Sequence, residues 1–401
     1  MNWKKAKISQ LIEEFERGIS YTSQEILDPT GIPMMNLACI DKTGFYRDGE
    51  MKFYSGNYAE EDVVYPNEML IACTDLTRNA DIIGTPILVP CDRDFYLYTM
   101  DLAKLTTKPC VDKMFLYYAL KTSTYRKYIK KWATGTTVLH LNLRGVYDYE
   151  LCYPEDVKDQ KKLVVLLSAL DKKIALNRQI NENLEALARQ LYDYWFVQFD
   201  FPNEEGKPYK SSGGKMVYNP ILKREIPAGW EVKEIGAILD KVKSSMKLTT
   251  NEFSANGKYP IIDQATDTYY AGFTDREDAV LDQYPAVVFG DHSCAVKYVN
   301  FPFVRGADGT QVMISKEPRI STEYLYFAVK DVKIGKGYAR HYSFLKSSLI
   351  IVPSQELALE FQEQAGKLFN QITLNRKQIL SLTKQRDELL PLLMNGQVTV
   401  E

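Results

Sequence analysis

The chain has 401 residues, more than one typical domain holds, which predicts two or three domains. A hydrophobic content of 45% can build folded cores, but the net charge of −2 gives no general sign of a nucleic-acid partner. Such a partner would need positive charge gathered on particular faces. The six cysteines form no C-x-x-C pair, which argues against a structural zinc site and predicts a reducing, cytoplasmic location.

The first 155 residues have the pattern of a mixed α/β unit. Short β-like runs include 69–72 and 87–89, and one helix is expected over about 113–131. The start of the chain lacks the apolar core of a signal peptide, and no apolar run is long enough to cross a bilayer. We therefore expect no membrane association.

A long heptad pattern follows the first unit. Its apolar positions alternate in steps of four and three, which keeps one seam against a partner helix. At about 1.5 Å per residue, this helix would be roughly 50 Å long. An ordinary core helix is the plain alternative. The seam positions are Leu163, Leu167, Leu170, Ile174, Asn177, Asn181, Leu184, Ala188, Leu191 and Trp195.

A polar, turn-rich segment separates this helix from a second unit. Residues 200–229 resemble an exposed linker in composition. Beyond it, β-like runs at 286–289, 295–299 and 348–352 and a helix over about 322–331 predict a second mixed α/β unit.

A second heptad pattern ends the chain. Each of its positions lies 198 residues after its counterpart, and both copies carry Leu-Asn-Arg at matching places. The seam positions are Phe361, Ala365, Leu368, Ile372, Asn375, Ile379, Leu382, Arg386, Leu389 and Leu393.

The two halves of the chain resemble each other in order. Trp3 and Ile8 match Trp230 and Ile235 at an offset of 227 residues, and the offset falls to 198 by the second long helix. Each match is weak, but chance matches would not stay collinear. The order of unit, helix, unit, helix predicts an antiparallel intramolecular coiled coil with pseudo-twofold symmetry. Centring the helices on each other places Asn181 opposite Asn375, a polar pair that would set the register.

Catalytic motifs are missing from the sequence. There is no G-x-G-x-x-G or G-x-x-x-x-G-K-[ST] phosphate loop, and 219–221 falls short of the Asn-Pro-Pro-aromatic motif of adenine methyltransferases. No metal-dependent nuclease centre is visible, and no serine or cysteine signature accompanies the three histidines. We predict a protein that is not an enzyme and that uses no cofactor or metal.

Basic residues follow the short helix of each half. Basic side chains neutralise phosphates, and small residues let backbone N–H groups approach them, so both sets could bind DNA. A solvated basic helix face is the plain alternative. The first set is Lys121, Arg126, Lys127, Lys130 and Lys131, followed by Thr136, and the second is Lys330, Lys333, Lys336, Arg340, His341 and Lys346.

Polar residues on exposed loops are the candidates for contacts with base edges, because base reading needs donors and acceptors that reach a groove. Plain turn residues are the alternative. The candidates are Thr74, Arg78 and Asn79 in the first half, and Asp263, Gln264, His292, Ser293 and Arg305 in the second.

An ordered set of segments resembles the specificity (S) subunit of Type I restriction–modification systems over essentially the whole chain. The run from Tyr192 to Pro202 is the most specific. The family's Pro-Pro-x-x-Glu-Gln-like turn before the first spacer helix is reduced here to 153–160, with a second copy at 353–356. The other segments are 135–137, 148–154, 167–174, 181–187, 206–214 and 224–227.

The resemblance implies two mixed α/β target-recognition domains, each of which reads half of a bipartite site in double-stranded DNA. It also implies spacer helices that hold the domains apart and dock two methyltransferase (modification) subunits, which restriction/translocase subunits then join. The expected divisions are domain 1 at 1–155, spacer helix 1 at 156–199, the linker at 200–229, domain 2 at 230–354 and spacer helix 2 at 355–401.

Two other functions stay open. A coiled-coil adaptor that binds only proteins would show no salt-sensitive binding to duplex DNA. A self-sufficient nuclease or methyltransferase is the other, and the missing motifs argue against it.

Overall fold

A computed structural model describes residues 1–27, 30–41, 44–47, 51–77, 79–243, 246–335 and 340–398. Its contacts divide the chain into two compact units, Met1–Ala175 with Leu380–Glu401, and Leu176–Ile379. The mixed α/β class is confirmed, and each of two long helices contributes one part to each unit.

All the strands that the structure describes in the first unit precede the first long helix. Its strands are β1 Trp3–Lys7, β2 Ile12–Arg17, β3 Ile26–Leu27, β4 Ile32–Met35, β5 Lys52–Tyr54, β6 Val63–Val64, β7 Met69–Ala72, β8 Thr74–Asp75, β9 Pro86–Leu88, β10 Tyr96–Tyr98, β11 Leu102–Thr107, β12 Ala133–Thr134, β13 Leu139–Leu141 and β14 Glu150–Pro154. Its helices are α1 Ile8–Leu11, α2 Lys113–Ala119, α3 Ser123–Ile129, α4 Arg144–Tyr147 and the beginning of α5 Val157–Tyr192.

The second unit takes up the chain from the later part of α5, which a π-helical turn extends over Asp193–Val197. Its strands are β15 Met216–Asn219, β16 Arg224–Pro227, β17 Glu231–Glu234, β18 Lys247–Leu248, β19 Tyr259–Ile262, β20 Gly272–Thr274, β21 Val280–Leu281, β22 Ala286–Gly290, β23 Val296–Val299, β24 Phe303–Gly306, β25 Thr310–Met313 and β26 Leu349–Val352. Its helices are α6 Ile235–Ile238, α7 Thr322–Asp331, α8 Tyr342–Ser347 and most of α9 Gln355–Met394.

The same topology occurs in both units. β1 pairs antiparallel with β14, and β17 pairs antiparallel with β26. β4 lies parallel to β10, and β19 lies parallel to β24. The sheet order β11-β7-β9 has its counterpart in β25-β22-β23, and the pairing of β2 with β11 is reduced in the second unit to an isolated bridge between Leu239 and Ser315. The weak sequence matches therefore mark a real structural repeat, in which Ile8 and Ile235 occupy equivalent, fully buried core positions.

The long helices run antiparallel within each unit. In the second unit, Asn375 Nδ2 donates to Asn181 Oδ1 at 2.9 Å, which is the pair that the heptads place opposite each other. In the first unit, Arg386 Nη1 lies 3.1 Å from Asp171 Oδ1, and both side chains are buried. The seam positions of both heptads are buried or half-buried, as an apolar stripe against a partner requires.

The prediction of one helix over about 113–131 is wrong in one respect, because the helix is interrupted after Ala119. Thr122 caps the start of α3: its hydroxyl accepts the N–H of Tyr125 at 3.4 Å and donates to the carbonyl of Ala119 at 2.7 Å. Spacer helix 2 was expected to reach 401, whereas α9 ends at Met394.

The prediction that residues 200–229 form an exposed loop is partly wrong. It contains the β15–β16 hairpin. Phe201 stacks on Tyr209 at 4.6 Å and on Trp230 at 5.3 Å between ring centres, so aromatic burial orders a segment whose composition is polar. Within the described ranges, none of the helices combines the length and apolarity needed to cross a membrane.

Candidate nucleic-acid interface

Three loops of the second unit meet near the ends of its central strands. One follows β19, one follows β22 and one joins β24 to β25. Gln264 connects them, because its Nε2 donates to the carbonyl of Asp308 at 3.0 Å and its Oε1 accepts the N–H of His292 at 3.1 Å. Two predicted base-contacting residues, Gln264 and His292, therefore lie side by side.

These loops pack closely around position 309, where a larger residue would be strained and would crowd its neighbours. Gly309 has φ +89°, and a Cβ there would lie 2.9 Å from His292 Cδ2. The Ser293 hydroxyl donates to the carbonyl of Gln264 at 2.6 Å. Because both ends of the Gln264 amide bind protein atoms, the Gln264 side chain fixes the conformation of these loops. Ser293 is exposed, whereas Gln264 and His292 are half-buried.

The remaining predicted residues of this unit differ in exposure. Arg305 donates from Nη2 to a backbone carbonyl at 2.8 Å, and burial lowers the pKa of its guanidinium. His341 is 8% exposed, and its backbone N–H donates to the carbonyl of Asp291 at 3.0 Å. His341 is therefore buried and Arg305 is half-buried, whereas Arg340 is exposed. Lys336 lies outside the described residues.

A buried aspartate starts the corresponding loop in each unit. The Asp75 carboxylate accepts the backbone N–H groups of Thr77 at 2.6 Å, Ile82 at 2.7 Å and Ile83 at 2.8 Å. Asp291 accepts the N–H of Tyr342 at 2.8 Å. The role of Asp75 was not predicted, although an aspartate at the end of a strand and two residues before a threonine is a recognisable Asx-turn signal.

Basic side chains of the first unit lie beside the loop that follows β8. Lys127, Lys130 and Lys131 are exposed on α3 and the turn after it, and Lys130 Nζ donates to the carbonyl of Asn79 at 2.9 Å. Thr136 is exposed between β12 and β13, and β13 pairs with β8. Five of the predicted residues are therefore grouped around β8 and the loop that follows it, namely Asn79, Lys127, Lys130, Lys131 and Thr136.

Some polar residues of the predicted pattern face inward. Arg126 donates from Nη2 to the carbonyl of Asp81 at 2.9 Å, and Lys121 Nζ donates to a tyrosine hydroxyl at 2.8 Å. Thr74 is only 4% exposed within β8. Arg78 lies outside the described residues. The linear pattern of basic residues thus overestimates the charge available for phosphates.

The exposed side chains around these loops are of the types that contact nucleic acids. Lysine ammonium groups can neutralise phosphates, and hydroxyl and imidazole groups can contact base edges. Among the residues that the structure describes, no group of three or more His, Cys, Asp or Glu side chains could hold a metal ion.

Comparisons with known proteins identify the family. The family profile described as the Type I restriction modification DNA specificity domain matches residues 1–186 and 227–384. The Type I restriction enzyme MjaIX specificity subunit of Methanocaldococcus jannaschii is 30% identical over 313 residues, which cover 72% of this chain and 69% of that protein. The HindI specificity subunit of Haemophilus influenzae is 24% identical over 346 residues, covering 69% and 75% respectively.

One solved structure shares the fold. It is the crystal structure of the Type I restriction–modification system S subunit from M. genitalium. It matches with a TM-score of 0.56 at 18% identity, and the match covers 98% of this chain and 96% of that one.

Proposed function

Because this chain belongs to the family of Type I restriction–modification DNA specificity proteins, we propose that its two units each read one half of a bipartite site in double-stranded DNA. The chain is a specificity subunit, the non-catalytic component of such a complex. The observation that carries the proposal is the repeated topology, with polar loops after equivalent strands of both units.

The side chains around these loops differ between the units. The first unit presents Lys127, Lys130 and Lys131, while the second presents Ser293 and Arg340. Units with one fold but different surface chemistry would read different half-sites, so the complete site need not be a palindrome. Lysine side chains supply affinity for the phosphate backbone, and the loop residues supply discrimination among bases.

The long helices would act as the spacer between the two reading units. α5 has 36 residues and α9 has 40, which at about 1.5 Å per residue makes them roughly 54 and 60 Å long. One turn of B-DNA is about 34 Å. A spacer of this length would leave unread base pairs between the two half-sites.

The outer faces of the helices would dock other subunits. Both helices expose large apolar side chains, which on a protein surface indicate contact with other proteins. The partners proposed are two methyltransferase subunits, which would modify adenine at the recognised site, and restriction/translocase subunits that join the complex. The exposed residues are Val165, Leu166, Leu176, Ile180, Leu187, Leu359, Leu374 and Leu380.

The same apolar side chains favour one second candidate, a coiled-coil adaptor that binds only proteins. The two candidates differ in their response to salt, since phosphate contacts release counterions and lose affinity steeply as salt rises. Binding of the assembled complex to duplex DNA should therefore weaken between about 50 and 200 mM salt. Salt-independent binding, or none, would favour the adaptor.

Domain exchange tests directly whether each unit reads one half-site independently of the other. Replacing residues 1–150 with the corresponding part of a relative should change one half of the methylated sequence and leave the other half as it was. Methylated adenines can be mapped by single-molecule sequencing of host DNA with the parent and the exchanged chain. A change in both halves would contradict independent reading by the two units.

A further inference from the structure

One loop of the second unit links the long helix α9 to the predicted DNA-contacting loops. We call residues 263–270 the recognition strap. At its far end, the guanidinium carbon of Arg376 lies 3.8 Å from the centre of the Tyr269 ring. The Tyr269 hydroxyl donates to the carbonyl of Tyr298 at 2.5 Å. The ring is thus held between a cation on α9 and the backbone of β23.

A buried lysine fixes the middle of the strap. Lys297 is 7% exposed, and its Nζ donates to the carbonyl of Thr268 at 2.7 Å. The same Nζ lies 3.5 Å from Asp263 Oδ1 at the start of the strap. A buried ammonium is tolerated only when such groups surround it, so Lys297 and the strap hold each other in place.

The near end of the strap organises the predicted recognition loops. Gln264 binds the N–H of His292 and the carbonyl of Asp308, as described above. A continuous series of contacts therefore runs from Arg376 through Tyr269 and the strap to the loops around His292. Every residue in this series belongs to the second unit.

The position of Arg376 is itself fixed by the helix seam. Its neighbour Asn375 is 5% exposed and binds Asn181 across the seam at 2.9 Å. The first unit repeats the arrangement: Arg386, also on α9, has its guanidinium carbon 5.0 Å from the ring centre of Phe45, in the loop after β4. The strap follows β19, the strand equivalent to β4.

We propose that Arg376 is a positioning residue for the half-site that the second unit reads. It would touch no DNA, but its planar contact with Tyr269 holds the strap, and the strap holds the loops that contact the bases. This inference rests on the proposed function. Lysine at position 376 would keep the charge but lose the flat guanidinium that covers the ring.

The test uses the full chain assembled with its methyltransferase subunit, and maps methylated adenines with the wild-type chain, Arg376→Gln and Arg376→Lys. Discrimination at bases of the second half-site should fall about tenfold in Arg376→Gln, as expected for loss of a desolvated cation–π contact, and by less in Arg376→Lys, which keeps the charge. Discrimination at the first half-site should stay unchanged. Lys377→Ala, at the exposed next position of α9, is the matched control and should leave both halves unchanged.

The possible outcomes separate the inference from the function it rests on. Equal loss at both half-sites, or full discrimination in Arg376→Gln, would overturn the positioning role. If Arg376→Gln does not assemble, Tyr269→Leu carries the same test, since it removes the ring that the Arg376 guanidinium covers. A wild-type complex that methylates without sequence preference would instead refute the proposed function.

Discussion

Lys121 and Lys330 occupy equivalent positions in the two repeats but have different surroundings. Lys330 Nζ lies 2.8 Å from the Glu185 carboxylate. Each ammonium group donates to the tyrosine hydroxyl four residues before it, Lys121 at 2.8 Å and Lys330 at 3.2 Å. The second partner of Lys121 Nζ is the carbonyl of Gly44 at 3.3 Å, which is not a carboxylate. Burial lowers the pKa of Lys121 to about 8, from 10.5 for an ordinary lysine. Holding this ammonium charged therefore costs stability at neutral pH.

The pKa of Lys121 predicts how stability changes with pH. Between pH 8 and 10.5 the unfolded chain keeps the lysine proton that the folded chain has lost, so the free energy of unfolding rises with pH in this window. Relative to Lys121→Met, the wild-type chain should gain up to about 3 kcal/mol from the lower to the upper end of this window. Denaturant unfolding of both chains at several pH values measures the difference.

Lys330→Met is the matched variant for this experiment. It removes a partly exposed ion pair, so it should lower stability at neutral pH by no more than about 1 kcal/mol. A gap between the wild-type chain and Lys121→Met that stays constant across the window would contradict a depressed pKa.

Residue types could be predicted from the sequence better than their orientations. The basic cluster around Lys127 and Lys130 was predicted from residue type and position, and the structure exposes it. The inward direction of Arg126 could not be predicted, because it depends on the backbone carbonyl of Asp81, which the folded loop supplies. Gln264 was predicted as a base contact, but its bonds to two other loops exist only in the tertiary structure.

The two long helices are the elements that periodicity predicted best. A heptad repeat fixes which face is buried, and pairing two such repeats end to end fixes the register, so the Asn181–Asn375 contact follows from counting alone. The shorter elements were harder to predict. The break after Ala119 depends on a Thr122 cap. The order in 200–229 depends on Phe201 stacking on Tyr209 and on Trp230, contacts that only the folded chain supplies.

The asparagine pair at the seam makes a prediction about helix stability. Asn375→Leu alone should destabilise the second unit by about 1–3 kcal/mol, because it leaves the Asn181 amide facing an apolar side chain. The double substitution Asn181→Leu with Asn375→Leu should raise the Tm above that of the wild-type chain, because it removes both polar groups from the seam. Thermal unfolding followed by circular dichroism measures both effects.

Lys377→Leu, at the exposed position two residues beyond Asn375, is the control for added apolar surface and should change the Tm little. A double variant that melts below the wild-type chain would show that the pair stabilises the seam, instead of setting its register at a cost.

At the scale of the whole molecule, the internal repeat was the most informative feature of the sequence. Collinear matches such as Trp3 with Trp230 are individually weak, yet the segments they mark occupy equivalent strands and helices. The repeat predicts two similar readers and one spacer. It does not predict the bases recognised, because base readout depends on loop conformation and on DNA shape.

The spacer hypothesis predicts that lengthening both helices lengthens the gap between the half-sites. Seven residues inserted after Ala175 in α5 and seven after Ile379 in α9 enter at opposed points of the seam, as the 3.0 Å contact between Asn177 and Gln378 indicates. One heptad adds about 10 Å of helix and preserves the buried face. That length equals about three base pairs of B-DNA at 3.4 Å each.

The modified chain, assembled with its methyltransferase subunit, should therefore methylate a site with the same two half-sites and about three more base pairs between them. Inserting the heptad in α5 alone is the control, because it shifts one seam against the other and should reduce folding and methylation together. Unchanged spacing in the doubly lengthened chain would contradict the ruler role while leaving the membership of the family intact. A changed half-site sequence would show that the helices also adjust the reading loops, as the contact between Arg376 and Tyr269 suggests they can.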